Sequence, residues 1–381
     1  MIEDHEGYIE FARELCHVVA RDLTHLQSVN TIVSPICIQS SLILAFMGAA
    51  GTTAEELRLG LKLGQGDRQH IARRLKDFWA NHSSRDAGIT LKSINRLFVS
   101  HKLQLRSEFQ ELAAEHFQMQ PEVLIFSDAV EATKKMNALI AQDTEHKIRN
   151  LMQSNAVNAE TSAVLVNALY FKGKFKKPFT PELTEPADFY ADQQRRFKVH
   201  MMHQEDKFKY AELPELAARA VQLPYKNSDI TLLILLPNEI CGLQRLEQHM
   251  RNFNLAHIEA KLLTQDVELA LPKFKIEFDL DLKSTLQQLG ISQIFADNAD
   301  MGHLFDCAMG QKISEVKHRG YIDVNEAGSE AAAVTVIKYV NMSLNLNVKH
   351  FKADHPFLFY ILNSKAIFFA GRYVQPPTDL I

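Results

Sequence analysis

Residues 321–343 read YIDVNEAGSEAAAVTVIKYVNMS, and this stretch decides how the rest of the chain is interpreted. A strand-like alternation ends at Glu326, and a patch of small residues then leads into a β-branched run with no proline and no charge between Glu330 and Lys338. In a strand, every second side chain lies on the same face. Four small residues share that face here: Ser329, Ala331, Ala333 and Thr335. The pattern predicts a loop that can become a strand inside a covered sheet without overpacking it.

The composition of the 381 residues is that of an ordinary globular protein, with 46% hydrophobic and 23% charged residues. A formal net charge of −4 is too balanced to suggest a nucleic-acid or membrane-surface partner. The longest apolar runs are strand-sized, so we expect no transmembrane helix. Residues 1–6 have neither a basic nor an apolar region, which predicts no secretory signal. The location is left open between cytoplasmic and extracellular, because a chain already trimmed of its signal would look the same.

Motifs of the common enzyme classes are missing from the sequence, which has no Walker loop, no HExxH and no GxSxG. The 16 histidines are not at ligand spacing, and the tightest group, at 200–203, favours the end of a strand over a metal site. Four scattered cysteines are typical of small core residues. We therefore expect neither an enzyme nor a site for a metal or cofactor.

Helical patterns dominate the first part of the chain and strand patterns the remainder, which indicates an α+β fold. Apolar spacing predicts a helix at about 7–24, and Ser34-Pro35 begins a second helix that runs to about Gly48. Thr53 and Glu56 have the spacing of a capping box at the start of a third helix. Further helices are predicted at 67–80, 106–116 and 128–152. Strands are predicted at 162–171, 220–225, 230–236, 267–271, 274–278, 357–362 and 366–373.

The stretch quoted first resembles the hinge of a serpin reactive loop, and the resemblance extends over essentially the whole chain, in order. Residues 351–361, FKADHPFLFYI, fit the C-terminal signature of that family at every position. The segment 165–179 resembles its third central strand and the gate beyond it. Three further segments are also similar to the family: Asn30 to Pro35, Leu223 to Pro237 and Leu289 to Phe295.

The resemblance implies an α+β serpin fold, with three β-sheets, about nine helices and an exposed C-terminal reactive-centre loop. Residues 1–381 would form a single domain with the loop at about 326–350. The hinge residues implied are Glu326, Gly328, Ser329, Glu330, Ala331, Ala332, Ala333 and Thr335. A monomer without a cofactor is expected.

The resemblance also implies suicide inhibition of a serine protease. The family's spacing from hinge glycine to scissile residue, carried onto Gly328, predicts that the Met342-Ser343 bond is cut. The flexible apolar side chain of Met342 suits an elastase-like or chymotrypsin-like protease. A shift of the cut to Tyr339 or Leu344 is left open and would keep a chymotrypsin-like target. The alternative function is that of a non-inhibitory serpin with a carrier, chaperone or storage role, which the small, uncharged hinge disfavours.

Further residues correspond one by one to positions with roles in the family. Ser34, Asn167 and His318 resemble a polar cluster beneath the opening sheet, and a static buried network is the alternative interpretation. Lys273 and Glu326 correspond to a pair at the top of that sheet, for which a surface ion pair is the alternative. Two residues depart from the pattern, with Cys37 in place of a common serine and Phe175 in place of a tryptophan.

Four basic residues lie on a helix that binds glycosaminoglycan in some serpins: Arg68, Arg73, Arg74 and Lys76. Acidic residues are adjacent, so the sequence favours a solvated helix face and leaves weak polyanion binding as the alternative.

Overall fold

Most helices lie in the first part of the chain, as predicted. The computed structural model describes residues 6–22, 28–82, 88–251, 253–306, 311–329 and 347–377. The helix predicted at 128–152 is shorter than expected, because Glu145 and His146 take left-handed φ angles of 51° and 61°. The described residues form nine α-helices, α1 (Glu6–Asp22), α2 (Pro35–Gly48), α3 (Gly51–Gly60), α4 (Arg68–His82), α5 (Ser107–Phe117), α6 (Ala129–Asp143), α7 (Leu243–Met250), α8 (Leu255–Lys261) and α9 (Leu282–Gln288).

The predicted capping box of α3 is wrong. The helix begins at Gly51, ahead of Thr53, and its N-cap residue, Ala50, makes no side-chain capping hydrogen bond. Thr53 Oγ1 accepts a hydrogen bond from the Asp300 N–H at 3.0 Å, and the Glu56 carboxylate accepts one from the Gln293 N–H at 2.6 Å. Both side chains therefore make tertiary contacts with a distant segment, which sequence spacing could not indicate.

The strands follow the predicted order, and together with the helices they confirm the α+β class. The described residues form fifteen strands, β1 (Thr31–Val33), β2 (Ile89–Ser100), β3 (Glu122–Leu124), β4 (Ala163–Lys174), β5 (Glu185–Tyr190), β6 (Arg196–Leu213), β7 (Ala218–Pro224), β8 (Thr231–Pro237), β9 (Leu263–Pro272), β10 (Phe274–Asp281), β11 (Ile313–Asn325), β12 (Gly328–Ser329), β13 (Lys349–Lys352), β14 (Phe357–Leu362) and β15 (Ile367–Tyr373).

A six-stranded sheet carries the segment quoted first, in the order β10-β11-β12-β4-β2-β3. Strands β11 and β4 pair directly and in parallel, from Ile313 opposite Ala163 to Tyr321 opposite Tyr170. Beyond Tyr321 the two strands part, and β12 lies between them, antiparallel to both. The sheet is therefore closed along most of β4 and already open at one end.

The other strands form a nine-stranded sheet in the order β1-β15-β14-β8-β7-β6-β9-β13, with β5 beside β6. The 18-residue strand β6 joins its two parts, because it pairs with β7 near one end and with β9 and β5 elsewhere. Among the described residues, hydrogen bonding thus defines two sheets. A count of three would require dividing the larger one along β6, and it stays a prediction.

Strand β4 is covered on both faces, which explains why its residues are almost all apolar. One face, with Leu165 and Leu169, belongs to the large core shared with α2. The other face, with Val164 and Val166, packs against the smaller cluster that includes Met136 of α6. Any strand inserted beside β4 must therefore fit between two packed layers.

Helix α2 is buried along its whole length and supports the sheet from below. The Ser34 Oγ accepts a hydrogen bond from the Cys37 N–H at 3.3 Å, and Pro35 occupies the first turn. The preceding strand β1 approaches β11 so closely that a Cβ at Gly320 would lie 2.5 Å from the Ile32 carbonyl oxygen. The start of α2 is thereby held against the middle of β11.

We predict that Gly320→Ala lowers the free energy of unfolding by about 1–3 kcal/mol, because backbone atoms must move to admit the methyl group. Fluorescence of Trp79, the single tryptophan, during denaturation measures this effect. Gly302→Ala is the control, since its nearest neighbour is a side-chain oxygen of Asp300 at 3.1 Å. Equal midpoints for the two variants would contradict the prediction.

Candidate functional site

The predicted hinge begins inside the six-stranded sheet. Gly328 pairs with Lys174 of β4 and Asn325 of β11, and Ser329 pairs with Gly173 and Val324. Gly328 has a φ of 142°, and a Cβ there would lie 2.1 Å from the Gly173 carbonyl oxygen, so only glycine fits. The remaining predicted residues lie outside the described part of the chain: Glu330, Ala331, Ala332, Ala333, Thr335, Met342 and Ser343.

Ser329 is fully buried, and its side chain points to the core side of the sheet. Its hydroxyl lies 2.7 Å from the Tyr225 hydroxyl, and the two share a hydrogen bond. Burial raises the pKa of Tyr225, and the hydrogen bond with Ser329 opposes that shift only in part, so the phenol is neutral. Sequence reasoning did not identify Tyr225 as a site residue, although it belongs to one of the segments that resemble the family.

Aromatic rings enclose Tyr225 on two sides. Phe175 stacks on it with ring centroids 5.2 Å apart and an interplanar angle of 18°, and Phe171 meets it edge-on at 4.9 Å. The phenylalanine found at position 175 in place of a tryptophan therefore still forms part of this aromatic cluster. A Cβ at Gly173 would lie 2.7 Å from the Tyr225 ring, so the glycine provides the space that the ring occupies.

The predicted pair at the top of the sheet is brought together. Lys273 Nζ lies 3.0 Å from a carboxylate oxygen of Glu326, and the Thr184 hydroxyl donates to the other oxygen at 2.9 Å. Burial alone raises the pKa of Glu326, but hydrogen bonds from its own backbone, Lys273 and Thr184 outweigh burial and lower it. The Glu326 carbonyl oxygen also accepts the Phe179 N–H at 2.8 Å. These contacts fix the residue from which the hinge departs.

The three residues of the predicted polar cluster are in contact, and all are fully buried. The Ser34 N–H donates to His318 Nε2 at 3.0 Å, so the ring proton resides on Nδ1, which donates to Asn167 Oδ1 at 2.5 Å. Burial lowers the pKa of His318 to about 3, and the ring is neutral. His318 and Asn167 are directly opposite each other in the β11–β4 ladder. Their hydrogen bond therefore bridges the two strands that an inserted strand would separate.

Two further groups lie in and beside this cluster: the side-chain amide of Asn167 and the thiol of Cys37. The Asn167 Nδ2 is buried and has no hydrogen-bond partner among the residues that the structure describes, which leaves one donor unsatisfied by them beneath the closed sheet. Cys37 donates from Sγ to the Ala168 carbonyl oxygen at 3.2 Å, and burial raises the pKa of its thiol to about 12. The cysteine found in place of a serine thus acts as an uncharged donor to β4.

The basic residues of α4 do not form one exposed surface. Arg68 donates to the Met47 carbonyl oxygen at 2.8 Å at the end of α2, and Arg74 lies over the Tyr8 ring. Two of the four cations are thus engaged with the protein itself, and the solvated-face interpretation is favoured for Arg73 and Lys76.

The described residues offer neither a metal site nor a membrane-spanning helix. No group of three or more histidine, cysteine, aspartate or glutamate side chains is arranged to hold a metal ion there. None of the helices in that part of the chain has the length and apolar character needed to cross a bilayer.

Comparison with known proteins identifies the family. The model of the family described as Serpin (serine protease inhibitor) matches residues 6–376. Serine protease inhibitor 42Dd of Drosophila melanogaster is 34% identical over 91% of each chain, and the leukocyte elastase inhibitor of Bos taurus is 34% identical over 92% of this chain and 94% of its own. The crystal structure of Serpin48, a highly specific serpin of the insect Tenebrio molitor, superposes with a TM-score of 0.89 at 35% identity, covering 99% of this chain and 100% of its own.

We predict that the protein loses stability as the pH falls from 6.5 toward 5, in part through His318. The folded pKa is about 3 and the ordinary value is 6.5, so in this window the unfolded state binds a proton that the folded state excludes. The stability is complete above the unfolded pKa and is lost as the pH falls, with a slope of at most about 1.4 kcal/mol per pH unit.

Denaturation midpoints at pH 7.0, 6.0 and 5.0 measure this effect for the wild-type protein and for His318→Gln, which cannot titrate. The variant should be less stable at pH 7 and show a shallower pH slope. Equal slopes of stability against pH for the two proteins would contradict a contribution from His318.

Proposed function

Because the chain belongs to the serpin family, we propose that it inhibits a serine protease as a suicide substrate cleaved at Met342-Ser343. The position of β12 carries the proposal. The first residues of the hinge already pair with β11 and β4, where a further strand would have to enter. The relatives named as serine protease inhibitors support it.

The proposed reaction begins as ordinary proteolysis. The protease serine hydroxyl attacks the Met342 carbonyl carbon, its proton passes to the catalytic histidine, and the peptide bond to Ser343 breaks. The new amino terminus at Ser343 leaves, and Met342 stays bound to the protease as an ester. The freed segment then inserts between β11 and β4, as a strand of roughly 15 residues or about 50 Å. The tethered protease is displaced, and its oxyanion hole and triad lose the alignment that deacylation requires.

The register of β12 indicates what the inserted strand would meet. Continuing the pairing of Ser329 with Gly173 and Val324 would bring Thr335 opposite both Asn167 and His318. A hydroxyl there could accept a hydrogen bond from Asn167 Nδ2, which no described residue satisfies, and replace the strand-bridging bond lost on opening. Small residues would occupy the intervening core-facing positions, at Ala331 and Ala333.

Insertion would also increase the number of backbone hydrogen bonds. The single parallel ladder between β11 and β4 would be replaced by two antiparallel ladders, one on each side of the new strand. Ordering the loop costs about 1–2 kcal/mol per residue, which these ladders and the burial of Val336 and Ile337 must offset. The form with the loop uninserted is therefore metastable in this proposal.

The proposed target is elastase-like or chymotrypsin-like, since Met342 offers an unbranched apolar side chain to the primary pocket. The similarity to a leukocyte elastase inhibitor agrees with this choice.

Incubation with elastase, chymotrypsin, trypsin and subtilisin, followed by denaturing electrophoresis and mass spectrometry, tests the proposal. We expect a covalent band near the summed mass with elastase or chymotrypsin, and a released peptide that begins at Ser343. Cleavage of the loop by all four proteases without such a band would reject inhibition.

Ala333→Arg should convert the protein into a substrate, because a charged side chain would face the core side of the inserted strand. The expected result is complete cleavage with loss of the covalent band. Glu330→Arg is the matched control, since the continued register sets residue 330 opposite Lys172, whose side chain is exposed. An Ala333→Arg protein that still forms stable complex would contradict the insertion mechanism.

Met342→Arg should redirect inhibition to trypsin, because the primary pocket of trypsin-like enzymes binds a cation. Second-order rate constants with trypsin and with elastase measure the switch, and Lys338→Arg serves as the control. If the rate constants are unchanged, the reactive bond lies elsewhere, with Tyr339 and Leu344 as the next positions to replace.

A second candidate function is carriage of a small molecule. It is favoured by a pocket on the face of the nine-stranded sheet that carries Tyr360. The pocket has a volume of about 230 Å³ and lies between α1, α7, β14 and β15. Its wall combines Cys16 and Tyr360 with three arginines, Arg13, Arg251 and Arg372, and three acidic residues, Glu6, Glu10 and Glu247, which suits an amphipathic ligand. Titration with a fluorescent naphthalene sulfonate, with Arg13→Ala as the comparison, tests it. Absence of saturable binding would reject carriage at this pocket.

A further inference from the structure

Tyr225 is held so firmly that its hydroxyl has one fixed position. Its backbone N–H donates to the Ile230 carbonyl oxygen at 3.1 Å, directly after the end of β7. Its ring is stacked on Phe175 and packed edge-on against Phe171, and only 1% of the residue is exposed. The ring is therefore held in place by residues outside β12.

The partner is Ser329, the second residue of β12, and it comes from the loop rather than from the body of the protein. If the hinge left the sheet, the Tyr225 hydroxyl would lose the hydrogen bond that Ser329 makes with it in the structure. An unsatisfied buried hydroxyl is unfavourable, whereas Ser329 in solvent would bond water. The hydrogen bond thus opposes departure of the hinge in addition to the backbone ladder.

We propose that the Tyr225 hydroxyl is a positioning group that holds Ser329 inside the six-stranded sheet before the reactive bond is cut, so that insertion propagates from a strand already in place. This inference rests on the proposed inhibitory function. The parallel ladder of β11 and β4 ends at Tyr321 and Tyr170, so β12 stands at the point where the two strands begin to part. Starting a strand between them is the unfavourable step, and adding residues to an existing one is easier.

The rate of acylation and the rate of loop insertion depend on different parts of the molecule. Acylation depends on the residues around the reactive bond and should not respond to Tyr225. The competition between insertion and deacylation should respond, because loss of the hydroxyl makes the first pairing step less favourable. One hydrogen bond corresponds to a change of about twofold to tenfold in that competition.

The first experiment needs no protease. Hydrogen exchange of a peptide fragment covering residues 326–331 is measured for the wild-type protein, Tyr225→Phe and Ser329→Ala. Both variants should exchange about twofold to tenfold faster in this fragment, since β12 opens more often. Tyr360→Phe is the control, because that buried ring lines the pocket beside α1 on the far side of the nine-stranded sheet. Unchanged exchange in Tyr225→Phe would overturn the inference whatever the protein inhibits.

The second experiment measures the ratio of covalent complex to cleaved protein, with the protease that forms a complex with the wild type. Tyr225→Phe and Ser329→Ala should each lower this ratio about twofold to tenfold at an unchanged acylation rate. The double variant should be no worse than either single variant, because both remove the same hydrogen bond. A purely structural role would lower stability and leave the ratio unchanged, and that result overturns the inference.

Two further outcomes are informative. Faster acylation of Tyr225→Phe at an unchanged ratio would mean that the buried hinge limits protease docking, and it would overturn the role in insertion. If the wild-type protein forms no complex with any of the four proteases, the proposed function fails, while the exchange experiment still decides whether Tyr225 holds the hinge.

Discussion

The direct contact between β4 and β11 is the constraint on which the rest of the structure depends. These strands are parallel neighbours along most of their length, yet at one end they are separated by β12. A sheet that is closed along most of these strands and open at one end has to hold two kinds of pairing in the same two strands. The surrounding features serve this arrangement, since Gly328 lets the chain turn in, Glu326 is fixed by Lys273 and Thr184, and α2 lies buried beneath the closed part.

Polar side chains are placed where the two strands meet, although the surroundings are apolar. Apolar contacts alone would hold β4 and β11 together, but they are non-directional and would not fix the register of the two strands. His318 and Asn167 instead join β11 to β4 by one hydrogen bond, and Ser34 ties that bond to the start of α2. Within the described part of the chain Asn167 Nδ2 has no partner, so those residues do not satisfy every buried group of the closed form. Leaving a buried donor unsatisfied costs about 1–3 kcal/mol in general, and a rearrangement that supplied an acceptor would recover that amount.

Sequence patterns predicted the order of the elements and placed Ser329 on the small-residue face of a strand, because both depend on local periodicity. The cluster of Ser34, Asn167 and His318 came from family resemblance, since its members are distant in sequence and no spacing rule links them. Tyr225 was missed because its role arises from a partner more than a hundred residues away. The capping box at Thr53 failed for a related reason, as tertiary partners took both of its side chains.

The pairing of β4 with β11 also constrains how the chain folds while it is being synthesised. The two strands are separated by 151 residues at the bond between Asn167 and His318. During synthesis β4 exists long before β11 has left the ribosome, and in that interval its edge lacks the neighbour that later covers it. An uncovered, apolar edge strand is a template for any extended segment nearby, including one from another copy of the chain. In the finished molecule, the edge of β4 is where its own loop would insert. In the unfinished chain, the same edge can pair with the wrong segment, and slow synthesis or a high concentration of chains would make such mispairing more frequent.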